Sequence, residues 1–114
     1  MQPEDRTRIR HMIDAAATVA QFIAGRRCED LDDDRLLLFA VVRAIEVLGE
    51  AASKVSAATW AAALDIPWSN IVSMRNRLIH GYFDIDPTLV WKTATKEIPD
   101  LLRQLRAVLA EGSE

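Results

Sequence analysis

Beginning at Ile9, apolar side chains return every third or fourth residue, at Met12, Ile13, Ala16, Val19, Ala20 and Ile23. That spacing follows the turn of an α-helix and gathers them on one stripe, which must be buried against something. The same period returns at Leu37, Val41, Ala44, Leu48, Ala51 and Val55. It comes back near the end at Leu89, Val90, Ile98, Leu101, Leu102, Leu105 and Val108. Alternation with period two, the mark of a half-buried strand, is scarce. Helices that each carry one apolar stripe bury it by packing on one another. The expected fold is therefore all-α, an up-and-down bundle of four or five helices.

Local signals set the expected boundaries. Gly25 stops the first helix. The acidic run Glu29 to Asp34 reads as a solvated loop, with an Asp near the start of the next helix to cap its free N–H groups. That helix runs from about Asp32 to Val55, and Gly49 inside it marks a close helix crossing. Ser56 to Ile66 is a short helix at most. Pro67 resets the chain, Trp68 to His80 forms the next long helix, and Gly81 ends it. Asp86-Pro87 opens the last helix, which runs to about Leu109 with a kink at Pro99. A chain of 114 residues reads as one domain, residues 1–114. Such a small core is often completed by pairing.

Composition narrows the function. The net charge is −3, whereas a protein that holds nucleic acid through its overall field is usually basic. Any handling of nucleic acid must then use a local pocket. Cys28 is the only cysteine, which excludes an intrachain disulfide and a cysteine-based zinc site. The first residues open a charged helix rather than a signal peptide. The longest apolar run, Leu36 to Val42, is too short for a bilayer. A cytoplasmic protein with no membrane partner is expected.

Chemistry gathers in one place. The stretch SMRNRLIHGYFDID, Ser73 to Asp86, holds Arg75, Asn76, Arg77, His80 and Tyr82. Five helical residues turn about 500°, so Arg75 and His80 lie about 140° apart and do not share a face. Asn76 and His80, four apart, do. Arg75 and His80 can meet if the helix frays at His80, which Gly81 favours, or if a second chain brings its copy close. Metal-free RNA cleavage needs a base for the 2′-OH proton, an acid for the leaving 5′-oxygen and a cation for the charged phosphorane. Histidine suits the proton transfers, and the guanidinium fork suits phosphate. Asn76 can position either. The other histidine, His11, stands apart, so a two-fold dimer would supply two His80 and two Arg75 to one cleft. The competing reading is capping, since Arg and His in a last helical turn are favoured by the dipole alone.

Other polar residues support or surround this cluster. Glu46 and Glu50, four apart, could hold a metal, but no Glu-x-x-His spacing accompanies them. Pairing with Arg75 or Arg77 is the expected role, and no metal site or cofactor is expected. Arg43, Lys54 and Arg77 form either a local basic rim for RNA or solvated surface. Trp60, Trp68 and Trp91 sit beside core positions and are expected to pack rather than stack on bases.

The block Met74-Arg75-Asn76-Arg77-Leu78-Ile79-His80-Gly81-Tyr82-Phe83-Asp84-Ile85-Asp86 resembles the signature of the HEPN superfamily, an Arg followed after four to six residues by His. Arg75-Asn76, His80 and Tyr82 resemble the HepT-like branch, as do Ile45-Glu46-Val47-Leu48-Gly49-Glu50-Ala51-Ala52 and Ile66-Pro67-Trp68. The likeness spans nearly the whole chain. It implies an all-α homodimer with the motifs at a cleft between subunits. It also implies a metal-independent RNA endonuclease acting as the toxin of a toxin–antitoxin pair. Arg75 and His80 would be catalytic, with Asn76 in support. Tyr82 would be the residue to which the antitoxin, a minimal nucleotidyltransferase (MNT-type), attaches AMP. The alternative within the same family is a non-catalytic module that binds nucleotide, RNA or that partner.

Overall fold

The computed structural model describes residues 1–81 and 85–111. Among the described residues there is no strand. The helices are α1 (Pro3–Ile23), α2 (Cys28–Asp33), α3 (Arg35–Ser53), α4 (Ala57–Ala62), α5 (Trp68–His80), α6 (Pro87–Lys92) and α7 (Ile98–Glu111). One π-helical turn, Thr93–Glu97, joins α6 to α7. The fold is the all-α bundle that the periodicity predicted, and the short helices α2, α4 and α6 raise the number above the expected four or five. Among the described residues no helix is long and apolar enough to cross a membrane.

The apolar stripes meet as expected. Ile9, Met12, Val19, Val41, Val90, Ile98 and Leu105 are all fully buried, each contributing about 1.5–3 kcal/mol of transfer free energy. Ala20 turns out to be exposed, and Ala15 takes its place in the buried stripe of α1. α1 packs against α3 and α7, and α3 packs against α5. The fourth seam, between α5 and α7, stays open as a cleft whose floor includes Ile45 and Leu48 of α3.

Two sequence expectations change in detail. The acidic run is helical rather than a loop, because Leu31 is fully buried and anchors it. Its first turn is closed by the Asp30 carboxylate, which accepts the Arg27 N–H at 2.8 Å and is held below its ordinary pKa by that bond. The helix breaks at Asp34, whose extended backbone frees its carboxylate to accept the Leu37 N–H at 3.1 Å and so cap α3. The expected irregularity at Pro99 takes the form of the π-turn just before it. Proline has no N–H, and its ring crowds the carbonyl four residues back. The Ile98 N–H bonds to the Thr93 carbonyl five residues back, which widens the helix by one residue.

The short elements are tied down by polar contacts. Asp5, only 4% exposed, accepts the Ser56 N–H at 3.0 Å, the Ser56 hydroxyl at 2.6 Å and the Thr59 hydroxyl at 2.6 Å. Burial alone would raise its pKa, but these hydrogen bonds to the charged form outweigh it and hold the carboxyl below its ordinary value. Trp60 and Trp68 stack with centroids 5.6 Å apart. Their indole N–H groups donate to the carbonyls of Ala52 and Ala63. Both rings are engaged in packing, as expected.

Candidate active site

The motif rides on α5, and α5 is positioned by one glycine on α3. A Cβ placed on Gly49 would stand 2.3 Å from the Arg75 Cβ, 2.9 Å from its Cγ and 3.1 Å from the Ile71 carbonyl oxygen. No side chain larger than hydrogen fits there. The crossing inferred from Gly49 is real, and the residue laid across it is Arg75. The root of the arginine is thus packed against the α3 backbone at Gly49. Arg75 Nε is buried and has no hydrogen-bond partner among the described residues. An unmet buried donor costs about 1–3 kcal/mol, and more on a charged group.

His80 is exposed in the last turn of α5. The helix does not fray there: Gly81 donates its N–H to the Arg77 carbonyl at 2.9 Å. Its φ is −105°, not left-handed. Glycine is needed here for space, since a Cβ would stand 2.8 Å from the Arg77 carbonyl oxygen. The route to an Arg75–His80 meeting through fraying at His80 is thus closed. With α5 regular to its end, the two lie about 140° apart around it. Asn76 is exposed one turn before His80.

The surrounding candidates divide. Glu50 pairs with Lys54 at 3.6 Å, not with Arg75 or Arg77. Glu46 is half-buried one turn before Gly49 and has no hydrogen bond or ion pair among the described residues. Arg77 is exposed and lines the open seam between α5 and α7. Arg43 is exposed on α3 and lines a different groove, shared with His11 of α1. Arg43 and Arg77 therefore line different grooves. Tyr82 lies outside the described residues. Among the described residues no three His, Cys, Asp or Glu side chains gather as a metal site would require. The orphan Nε of Arg75 carried no sequence signal, because it depends on what covers the arginine after α3 and α5 dock.

Comparison with known proteins adds a separate line of observation. Residues 12–108 match the family described as "Ribonuclease HepT-like". A protein of Caldanaerobacter subterraneus subsp. tengcongensis, provisionally named an RNase, is 32% identical over 91% of this chain and 93% of its own. One of Thermococcus cleftensis, provisionally named ribonuclease HepT, is 32% identical over 89% of this chain and 92% of its own. One of Methanocaldococcus jannaschii, again provisionally named an RNase, is 29% identical over 85% of this chain and 89% of its own. No solved structure matches the chain.

Proposed function

The chain belongs to the HepT-like ribonuclease family, and on that premise we propose that it is an endoribonuclease whose active site is shared by two copies of the chain. It is a ribonuclease; the shared site, the residue roles and the control described next are the proposal. The observation that carries it is the angle of about 140° between Arg75 and His80 on an unbroken α5. One chain turns the two groups apart, and a two-fold axis beside α5 lets one copy's histidine face the other's arginine.

In this reading the 2′-OH of the RNA attacks the adjacent phosphorus. One His80 takes the 2′-OH proton, and His80 of the partner subunit gives a proton to the leaving 5′-oxygen. The products are a 2′,3′-cyclic phosphate and a 5′-hydroxyl. Arg75, whose Nε–H has no acceptor among the described residues, pairs with the phosphorane oxygens and stabilises the charge that develops there. Asn76, exposed one turn from His80, orients the imidazole or the substrate. Glu46 and Glu50 flank the Gly49 crossing and support the motif by position, and Arg43 contacts RNA further out, whereas Arg77 lies on the acidic-rimmed seam. With a base, an acid and a cation all supplied by side chains, the proposed cutting step uses no metal, and water enters only after the cyclic phosphate forms.

Control belongs to the same proposal. The chain acts as the toxin of a toxin–antitoxin pair, and an MNT-type nucleotidyltransferase joins AMP to Tyr82. The phenol oxygen attacks the α-phosphorus of ATP and pyrophosphate leaves. The added phosphate competes with RNA for Arg75, and the nucleoside blocks the site shared by the two copies. The test is cleavage of total RNA by the purified, unmodified protein in EDTA, beside His80→Ala. Cutting by the wild type alone supports the reading. No cutting by a folded wild type makes it a non-catalytic module that binds nucleotide, RNA or the transferase.

A further inference from the structure

The open seam between α5 and α7 is unexplained by the cleavage chemistry. In a four-helix bundle each helix packs on two neighbours. Here α5 rests mainly on α3, and its second flank borders a cleft of about 470 Å³. Along α5 the cleft runs from Pro67 to Arg77, about 15 Å at the helical rise. Its floor is apolar, made by Ile45, Leu48, Ile71, Leu89 and Leu101. Its rim is acidic: among the described residues Asp65, Glu97 and Asp100 line it against one cation, Arg77. Asp100 is engaged by Arg103, but Asp65 and Glu97 have no ion pair among the described residues, and both are exposed.

We propose that this seam is a docking groove for a short helical segment of another protein, one that presents a narrow apolar stripe flanked by Lys or Arg. A helix is the occupant we infer, because the cleft runs along α5 for about three turns and helices pack by laying a side-chain ridge into such a groove. The apolar floor selects the stripe. The unpaired Asp65 and Glu97 select basic flanks and oppose phosphate, which separates this groove from any path for RNA. The seated segment would touch Met74 and Arg77, the residues on either side of Arg75 and Asn76 in the motif. It would thus brace the motif helix from behind without entering the site. The inference rests on the cleft alone and does not require the ribonuclease reading.

The test is binding, read by fluorescence anisotropy, with a labelled amphipathic peptide of Leu, Ala and Lys about 14 residues long, roughly four turns. Its counterpart carries Glu in place of Lys. The wild type is expected to bind the basic peptide saturably and the acidic one not. Reversing the rim with Asp65→Lys and Glu97→Lys should weaken binding about tenfold or more, and Ser73→Trp, which fills the cleft, should abolish it. Asp32→Lys with Asp33→Lys, on exposed positions of α2 away from the cleft, should leave it unchanged. The proposal is overturned if the basic peptide does not bind, or if the α2 pair weakens binding as much as the rim pair. It is also overturned if single-stranded RNA displaces the peptide, or if the rim variants change the oligomeric state, which would make the groove a contact between copies.

Discussion

Gly49→Ala is the sharpest test of how the fold holds the motif. The new methyl would stand 2.3 Å from the Arg75 Cβ, and ordinary contact begins at 3.4 Å. The Cβ is attached to the backbone, so a rotamer change cannot relieve the clash, and α5 must retreat from α3 by about 1 Å. Overpacking of this kind costs about 1–3 kcal/mol. Replacing a mid-helix glycine by alanine returns about 1 kcal/mol. The net loss of stability is therefore between nothing and about 2 kcal/mol, a fall in Tm of no more than about 10 °C. Activity should suffer far more, since a displacement of about 1 Å in a positioned group can cost about a hundredfold in rate. The assay is cleavage of a quenched fluorescent RNA under single-turnover conditions, with Tm followed by circular dichroism. A variant that cuts within about threefold of the wild type refutes the claim that the Gly49 contact sets the position of Arg75.

Three further outcomes are expected. His80→Ala should lose cleavage while changing stability by less than about 0.5 kcal/mol, because the side chain is exposed; a large drop in Tm in thermal denaturation would favour capping instead. Asp5→Ala should cost about 2–3 kcal/mol in urea unfolding, as it strands the hydrogen-bond donors of Ser56 and Thr59. The Asp5 carboxyl is held below its ordinary value of 3.8 in the fold, so its contribution is complete above that pH and is lost as pH falls through the lowered value. Unfolding curves from pH 6 downward should show a steeper acid limb for the wild type than for Asp5→Asn, and parallel limbs would refute the assignment. Trp68→Ala should destabilise by about 3–5 kcal/mol in urea unfolding, since the ring is buried, stacked on Trp60 and bonded to Ala63; a mild loss would leave room for a base-stacking role.

What the sequence determined by itself is everything that depends on near neighbours along the chain. Apolar spacing in threes and fours made the helices and chose most of their buried faces. Gly25, at φ +73°, ended α1 as its lack of a side chain implied. An aspartate capped α3, Pro99 distorted the last helix, and the spacing from Arg75 to His80 put them on different sides of α5. The resemblance in the motif block pointed to the family that the comparisons show. Only the tertiary structure decided the matters that turn on which helix lies across which. It set Arg75 on the bare backbone of Gly49, left its Nε without an acceptor among the described residues and gave Glu50 to Lys54. It separated Arg43 from Arg77, made a helix of the acidic run through the burial of Leu31, and left one seam of the bundle open. Periodicity names the face a helix buries, but not the partner that covers it. A glycine announces that something comes close, and only packing says that it is the arginine of the motif.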